Sequence, residues 1–208
     1  MVATVIVREA NGGTDGSPGT ETQVDGQGVN DGTDVRYCTT DAYNPGSNYP
    51  CVVPSSGTNY SYWKHHYLNI SGTFTKVNNI RWYTDGTIGW TCGTDGGLFV
   101  GIRDSGDNGV PMPTNYEVAT GTQGTTGDYM DDATNGHGYY KDQTAEPANA
   151  SNYTSASPLT VDTTDHTTSG NSKAIVTQVK IASDATQGTQ SDETLTWIYD
   201  EIWGDYGL

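Results

Sequence analysis

Apolar and polar residues alternate along this chain in short runs that end in Gly, Asn, Asp or Pro. That is the period of a β-strand with one buried face. The strongest pair spans residues 60–70 and 73–84. Tyr60, Tyr62, Trp63, Tyr67, Leu68 and Ile70 lie on the first strand, and Phe74, Val77, Ile80, Trp82 and Tyr83 on the second. Ser71-Gly72 and Asp85-Gly86 punctuate them as turns. Further strands are predicted at 2–9, 34–38, 88–92, 98–103, 159–161, 173–181 and 194–202, with a strand edge at 116–119 and a weak strand around 23–24. The first strand should stop at Asn11-Gly12-Gly13. Residues 127–132 read as one helical turn. No longer 3.6-residue stripe occurs. Short strands with frequent turn signals predict an all-β fold, a jelly-roll-like β-sandwich forming a single domain over 1–208, with long loops near 39–51 and 121–157.

Composition sharpens this picture. Only 33% of residues are hydrophobic, but 14 Tyr and 5 Trp are present and just 16% are charged. Disordered chains are usually poor in aromatics and rich in charge, so the composition implies a folded chain whose core is built from Tyr and Trp. Nine Lys and Arg stand against 25 Asp and Glu, a net charge of −16. Such a chain repels phosphate backbones and anionic headgroups, which argues against nucleic-acid and membrane partners. The opening MVATVIVREANG turns polar too soon for a signal peptide.

Candidate chemistry is sparse. Asp104, Asp107 and Asn108 sit in a DSGDNG loop whose composition suits Ca²⁺, without the ligand alternation or bidentate Glu of a helix-loop-helix calcium site. Asp128, Asp131 and Asp132 form a second acidic cluster. His65 and His66 are adjacent on a predicted strand and so should face opposite ways, one exposed and one packed. Cys38 and Cys51 bracket a polar loop, an arrangement open to a disulfide or to free thiols, with Cys92 a small buried residue. No nucleophile motif is present, so neither an enzyme nor a bound cofactor is expected. Trp63, Trp82 and Trp90 would be the glycan platform if the chain were a carbohydrate-binding module or a receptor-binding tail protein; as core residues they would make up for scarce aliphatics.

Three segments, VIVREANGG, GTNYSYWKHHYLNISGTFTKVNNIRWYTDG and ETLTWIYDEI, resemble small structural proteins of tailed viruses of bacteria and archaea, the capsid decoration, cement or tail-associated subunits. The resemblance implies a virion protein made in the host cytoplasm. It would bind the major capsid protein or a tail protein, commonly as a homotrimer, and stabilise the assembled shell without catalysis. Val5, Val7 and Arg8 of the first strand, a candidate arm for strand addition, and Tyr43 and Tyr49 of the loop at 39–51 are the expected contact residues. The loops at 39–51 and 121–157 would be surface insertions.

Overall fold

A computed structural model describes residues 2–25 and 35–202. Its strands are β1 (Ala3–Thr14), β2 (Ser17–Gln23), β3 (Thr58–Tyr60), β4 (Lys64–Gly72), β5 (Lys76–Tyr83), β6 (Gly97–Val100), β7 (Gly121–Thr122), β8 (Thr126–Gly127), β9 (Ala148–Asn149), β10 (Leu159–Asp162), β11 (Gly170–Ala182) and β12 (Thr196–Ile202). One 3₁₀ turn, Ala150–Asn152, follows β9. The expected all-β class is what the chain adopts.

A seven-stranded antiparallel sheet runs β2-β1-β4-β11-β6-β9, with β3 also on β11; a three-stranded sheet runs β10-β5-β12. They share one core. Leu68, Ile70, Leu98, Val100, Ile175, Val179 and Ile181 of the larger sheet meet Val77, Ile80, Trp82 and Val161 of the smaller. Every one of these is at most 5% exposed.

The opposite face of the large sheet is covered too. Ala10, Tyr67 and Ala174 pack under Met112 and Tyr116. Trp63 and Val176 pack with Ala119, Met130 and Tyr140. The covering residues all come from the irregular tract 104–147, so much of the expected surface insertion at 121–157 is instead a third layer. Met130 is fully buried and Tyr140 nearly so, while Ala150 packs into the core between the two sheets. With both faces covered, β4 is buried along most of its length. His65 and His66 are accordingly both buried, at 1% and 3% exposure, where one exposed ring was expected.

Several local expectations shift for identifiable reasons. Strand β1 does not stop at Asn11. It continues through Gly12 and Gly13, whose φ of 67° and 83° only glycine adopts without strain, and turns at Asp15-Gly16 into β2. Residues 88–92 form no strand, because side chains replace the ladder: Gly89 N donates to Glu193 Oε1 (2.7 Å) and Thr91 N to Gln190 Oε1 (2.8 Å). Residues 116–119 are likewise irregular; Glu117 N donates to His65 Nε2 (3.3 Å) and Val118 N to Asp15 Oδ1 (3.0 Å). Of residues 127–132, Gly127 ends β8 and the rest form an irregular turn in place of a helix, Asp132 N donating to Tyr129 O at 2.9 Å. Of the strand predicted at 34–38, residue 34 lies outside the described residues and 35–38 pair irregularly, Cys38 O accepting from Tyr62 N at 2.9 Å.

Candidate functional site

Strand β4 carries consecutive titratable residues, Lys64, His65 and His66, and alternation sends them to opposite faces of the sheet. Lys64 and His66 lie on the core face and His65 beneath the covering layer. Each side builds a buried polar cluster.

On the core face, Glu9 of β1 stands opposite His66. Its Oε1 accepts from Lys64 Nζ at 2.6 Å and from Asn11 Nδ2 at 2.8 Å. Its Oε2 faces His66 Nε2 at 3.6 Å. Glu9, Asn11, Lys64 and His66 are all at most 3% exposed. Burial raises the Glu9 pKa, but Lys64 and His66 outweigh it and hold the carboxyl below its ordinary value. Lys64 Nζ also donates to Ala42 O (2.8 Å), which draws the loop at 39–51 over the cluster. Tyr37 closes the side, its hydroxyl 2.8 Å from Thr177 Oγ1.

On the covered face, His65 Nε2 and His137 Nε2 are 2.9 Å apart. The tautomers follow from their neighbours. Tyr139 N donates to His137 Nδ1 (3.2 Å), so the His137 proton sits on Nε2. His65 Nε2 receives that proton's hydrogen bond together with that of Glu117 N, so its own proton is on Nδ1. Burial pushes both rings to low pKa, His137 to about 3, and both are neutral near pH 7. Glu117 also accepts from Gly138 N and lies 3.8 Å from His137 Nδ1. Its carboxyl pKa is raised, chiefly by burial. Beside it opens a cleft of about 320 Å³ lined by Asp15, Trp63, Glu117, Asp128, Asn135 and Lys141. The buried histidines brace this cleft wall through the Glu117 and Tyr139 amides.

The residues singled out from sequence disperse. Asp104 caps the Thr144 and Ala145 amides at 2.9 and 2.6 Å. Asp107 accepts from Lys173 Nζ at 2.5 Å. Asn108 is buried and donates to Thr160 O at 3.2 Å. These three polar groups point at three different partners, not at one cation. Asp128, Asp131 and Asp132 also diverge: Asp128 accepts from Thr120 Oγ1 (2.8 Å), Asp132 from the Thr134 and Asn135 amides (2.9 and 2.8 Å), and Asp131 is raised to about 6 by burial and a hydrogen bond with Glu146.

Trp63 and Trp82 are 3% and 0% exposed, while half-buried Trp90 stacks edge-on with Tyr37 and donates to Ser191 O (2.7 Å). The three therefore do not form an exposed row. Val5 and Val7 are half-buried against the core. Arg8 donates to Glu21 O (3.2 Å). The β1 amides of Ala3 and Val7 are capped by Glu201 (2.6 Å) and Asp25 (3.2 Å), which blunts this edge against strand addition. Tyr43 is half-buried and Tyr49 is 40% exposed. Cys38, Cys51 and Cys92 are free thiols, and burial pushes Cys51 up to about 12. Among the described residues no helix is long and apolar enough to cross a membrane.

Sequence reasoning missed the Glu9–Lys64–Asn11 cluster and the His65–His137 pair. A signal for the first exists: Glu9 ends an apolar run, and Lys64 breaks an aromatic one. Comparison with protein-family models, curated proteins and solved structures found no match.

Proposed function

We propose that this protein is a non-catalytic structural subunit of a virion, a decoration or cement protein attached to the assembled capsid or tail. The observation that carries the reading is how the chain spends its apolar side chains. Both faces of the main sheet are covered from within, and only five large apolar residues among those described are exposed. Two of these, Val2 (57%) and Ile202 (46%), lie at the strand ends that the Ala3–Glu201 hydrogen bond joins, and Tyr199 (36%) lies midway along the same strand β12. That corner is the proposed attachment point. The rest of the surface carries most of the net charge of −16 and keeps neighbouring particles apart. A subunit that binds the assembled shell and not its dissociated parts stabilises the shell by mass action. The resemblance of the three segments to virion proteins points the same way.

Cryo-EM of the particle with which the native protein sediments tests this. Repeated copies bridging shell or tube subunits through the Val2–Ile202 corner are expected. A protein that never sediments with particles, and remains a free monomer, overturns the reading.

A further inference from the structure

The core-face cluster contains the reactants for a covalent bond between strands. Lys64 Nζ and Asn11 Nδ2 both lie within hydrogen-bond reach of one carboxylate oxygen, Glu9 Oε1, at 2.6 and 2.8 Å. Glu9, Asn11 and Lys64 are 0%, 3% and 2% exposed. The β1–β4 register, which ends at Ala10 opposite His65, brings Asn11 and Lys64 across from each other at the next position. The amide orientation is fixed by its neighbours. A carboxylate only accepts, so Nδ2 must face Glu9, and Asn11 Oδ1 accepts from Thr20 Oγ1 at 2.5 Å.

We propose that Lys64 and Asn11 form an intramolecular isopeptide bond, with Glu9 as the proton-transfer group. The ammonium of Lys64 passes a proton to Glu9 along their hydrogen bond, leaving a free amine. Nζ attacks Asn11 Cγ, and the Thr20 hydroxyl stabilises the negative charge that develops on Oδ1. The attacking nitrogen sheds a proton and Glu9 delivers one to Nδ2. The Cγ–Nδ2 bond breaks and ammonia leaves, carrying the remaining proton as ammonium. Lys-NH₃⁺ and the Asn amide become a secondary amide and NH₄⁺, Glu9 returns to its carboxylate, and no oxidant or cofactor enters the balance. Burial keeps out the water that would reprotonate the amine or compete for the carbonyl. The paired strands hold the reactants together as an intramolecular reaction requires.

Peptide mass spectrometry on the purified full-length chain, denatured after storage in the folded state, tests this. Acylation of Lys64 blocks tryptic cleavage there, so peptide 9–36 should be recovered joined to peptide 37–76, lighter than the two together by one ammonia. Glu9→Gln preserves the shape without the proton transfer and should yield the two peptides unlinked, with cleavage restored after Lys64. Thr20→Val should slow linkage while leaving it complete at long times. Recovery of unlinked 9–36 and of a peptide ending at Lys64 from the folded wild-type chain overturns the proposal, as does equal linkage in Glu9→Gln.

Discussion

His137 should make the protein sensitive to mild acid, and the effect can be isolated. Its ring is fully buried and its pKa lies at about 3, against 6.5 for an ordinary histidine. Below pH 6.5 the unfolded chain takes up a proton that the folded chain refuses. Stability from this residue is therefore present above pH 6.5 and is lost as pH falls toward 3. At pH 4.5 the unfolded ring is about 99% protonated and the folded ring almost neutral, so linkage predicts a loss of about 2.5 kcal/mol relative to pH 7. Carboxylates titrate in the same range, so the comparison must be with a variant. His137→Gln keeps a neutral donor toward His65 Nε2 and removes the titration. Urea unfolding at pH 7 and pH 4.5 on both proteins gives the numbers. Wild type should lose about 2.5 kcal/mol more than the variant over this interval. Equal losses would refute the reasoning and mean that the folded chain accommodates a protonated ring.

Other outcomes follow from the same packing. Trp82→Ala removes a fully buried indole between the sheets and should cost about 3–5 kcal/mol by denaturant unfolding. Asp162, buried and held at about pKa 2 against burial by His166 and the Lys173 and Thr164 amides, contributes stability that is present above pH 3.8 and lost as pH falls through 2. Asp162→Asn should remove about 2 kcal/mol at pH 7. Cys38, Cys51 and Cys92, all with pKa raised by burial, should react with a thiol reagent at pH 8 far more slowly in the native protein than in urea. Val2→Asp with Ile202→Asp should abolish sedimentation with particles while leaving the circular dichroism unchanged, since both side chains are exposed.

The strands were legible where alternation was clean. β4, β5, β11 and β12 lie close to the predicted positions because Leu68 and Ile70, Ile80 and Trp82, and Val179 and Ile181 recur on one face at the strand period; Val77 reaches that face three residues before Ile80 because Asn79, at φ 52°, breaks the alternation. The covering layer was not legible. Residues 104–147 have no period, since Met112, Tyr116, Met130 and Tyr140 reach the sheet from turns whose backbone hydrogen bonds are local, as in Asp132 N to Tyr129 O. That layer also explains the histidines. Alternation correctly sent His65 and His66 to opposite faces, but strand period cannot reveal whether the far face is covered. The loop carboxylates were misleading for a related reason: turn-forming Asp and Asn residues satisfy nearby amides, and composition alone does not separate that use from cation binding.

The two clusters on β4 differ in what they cost the fold. The His65–His137 pair is neutral, joined through its two Nε2 atoms with the Tyr139 amide on His137 Nδ1, so its burial is an ordinary packing problem. Glu9 and Lys64 are opposite charges withdrawn from water. Such a pair often contributes no more than apolar residues of the same volume, while loss of one partner costs about 3–5 kcal/mol. As a noncovalent device the cluster is therefore a weak source of stability. As the origin of a covalent link it would act differently. A bond between residues 11 and 64 closes a loop of more than fifty residues in the unfolded chain, for which the chain-entropy relation gives about 4 kcal/mol. Only the Lys64 charge disappears when the amide forms; Glu9 returns to its carboxylate, still buried, with His66 Nε2 at 3.6 Å beside it. The gain from the reaction is therefore the constraint on the unfolded chain, and the bond ties β1 to β4, the strand that carries both polar clusters.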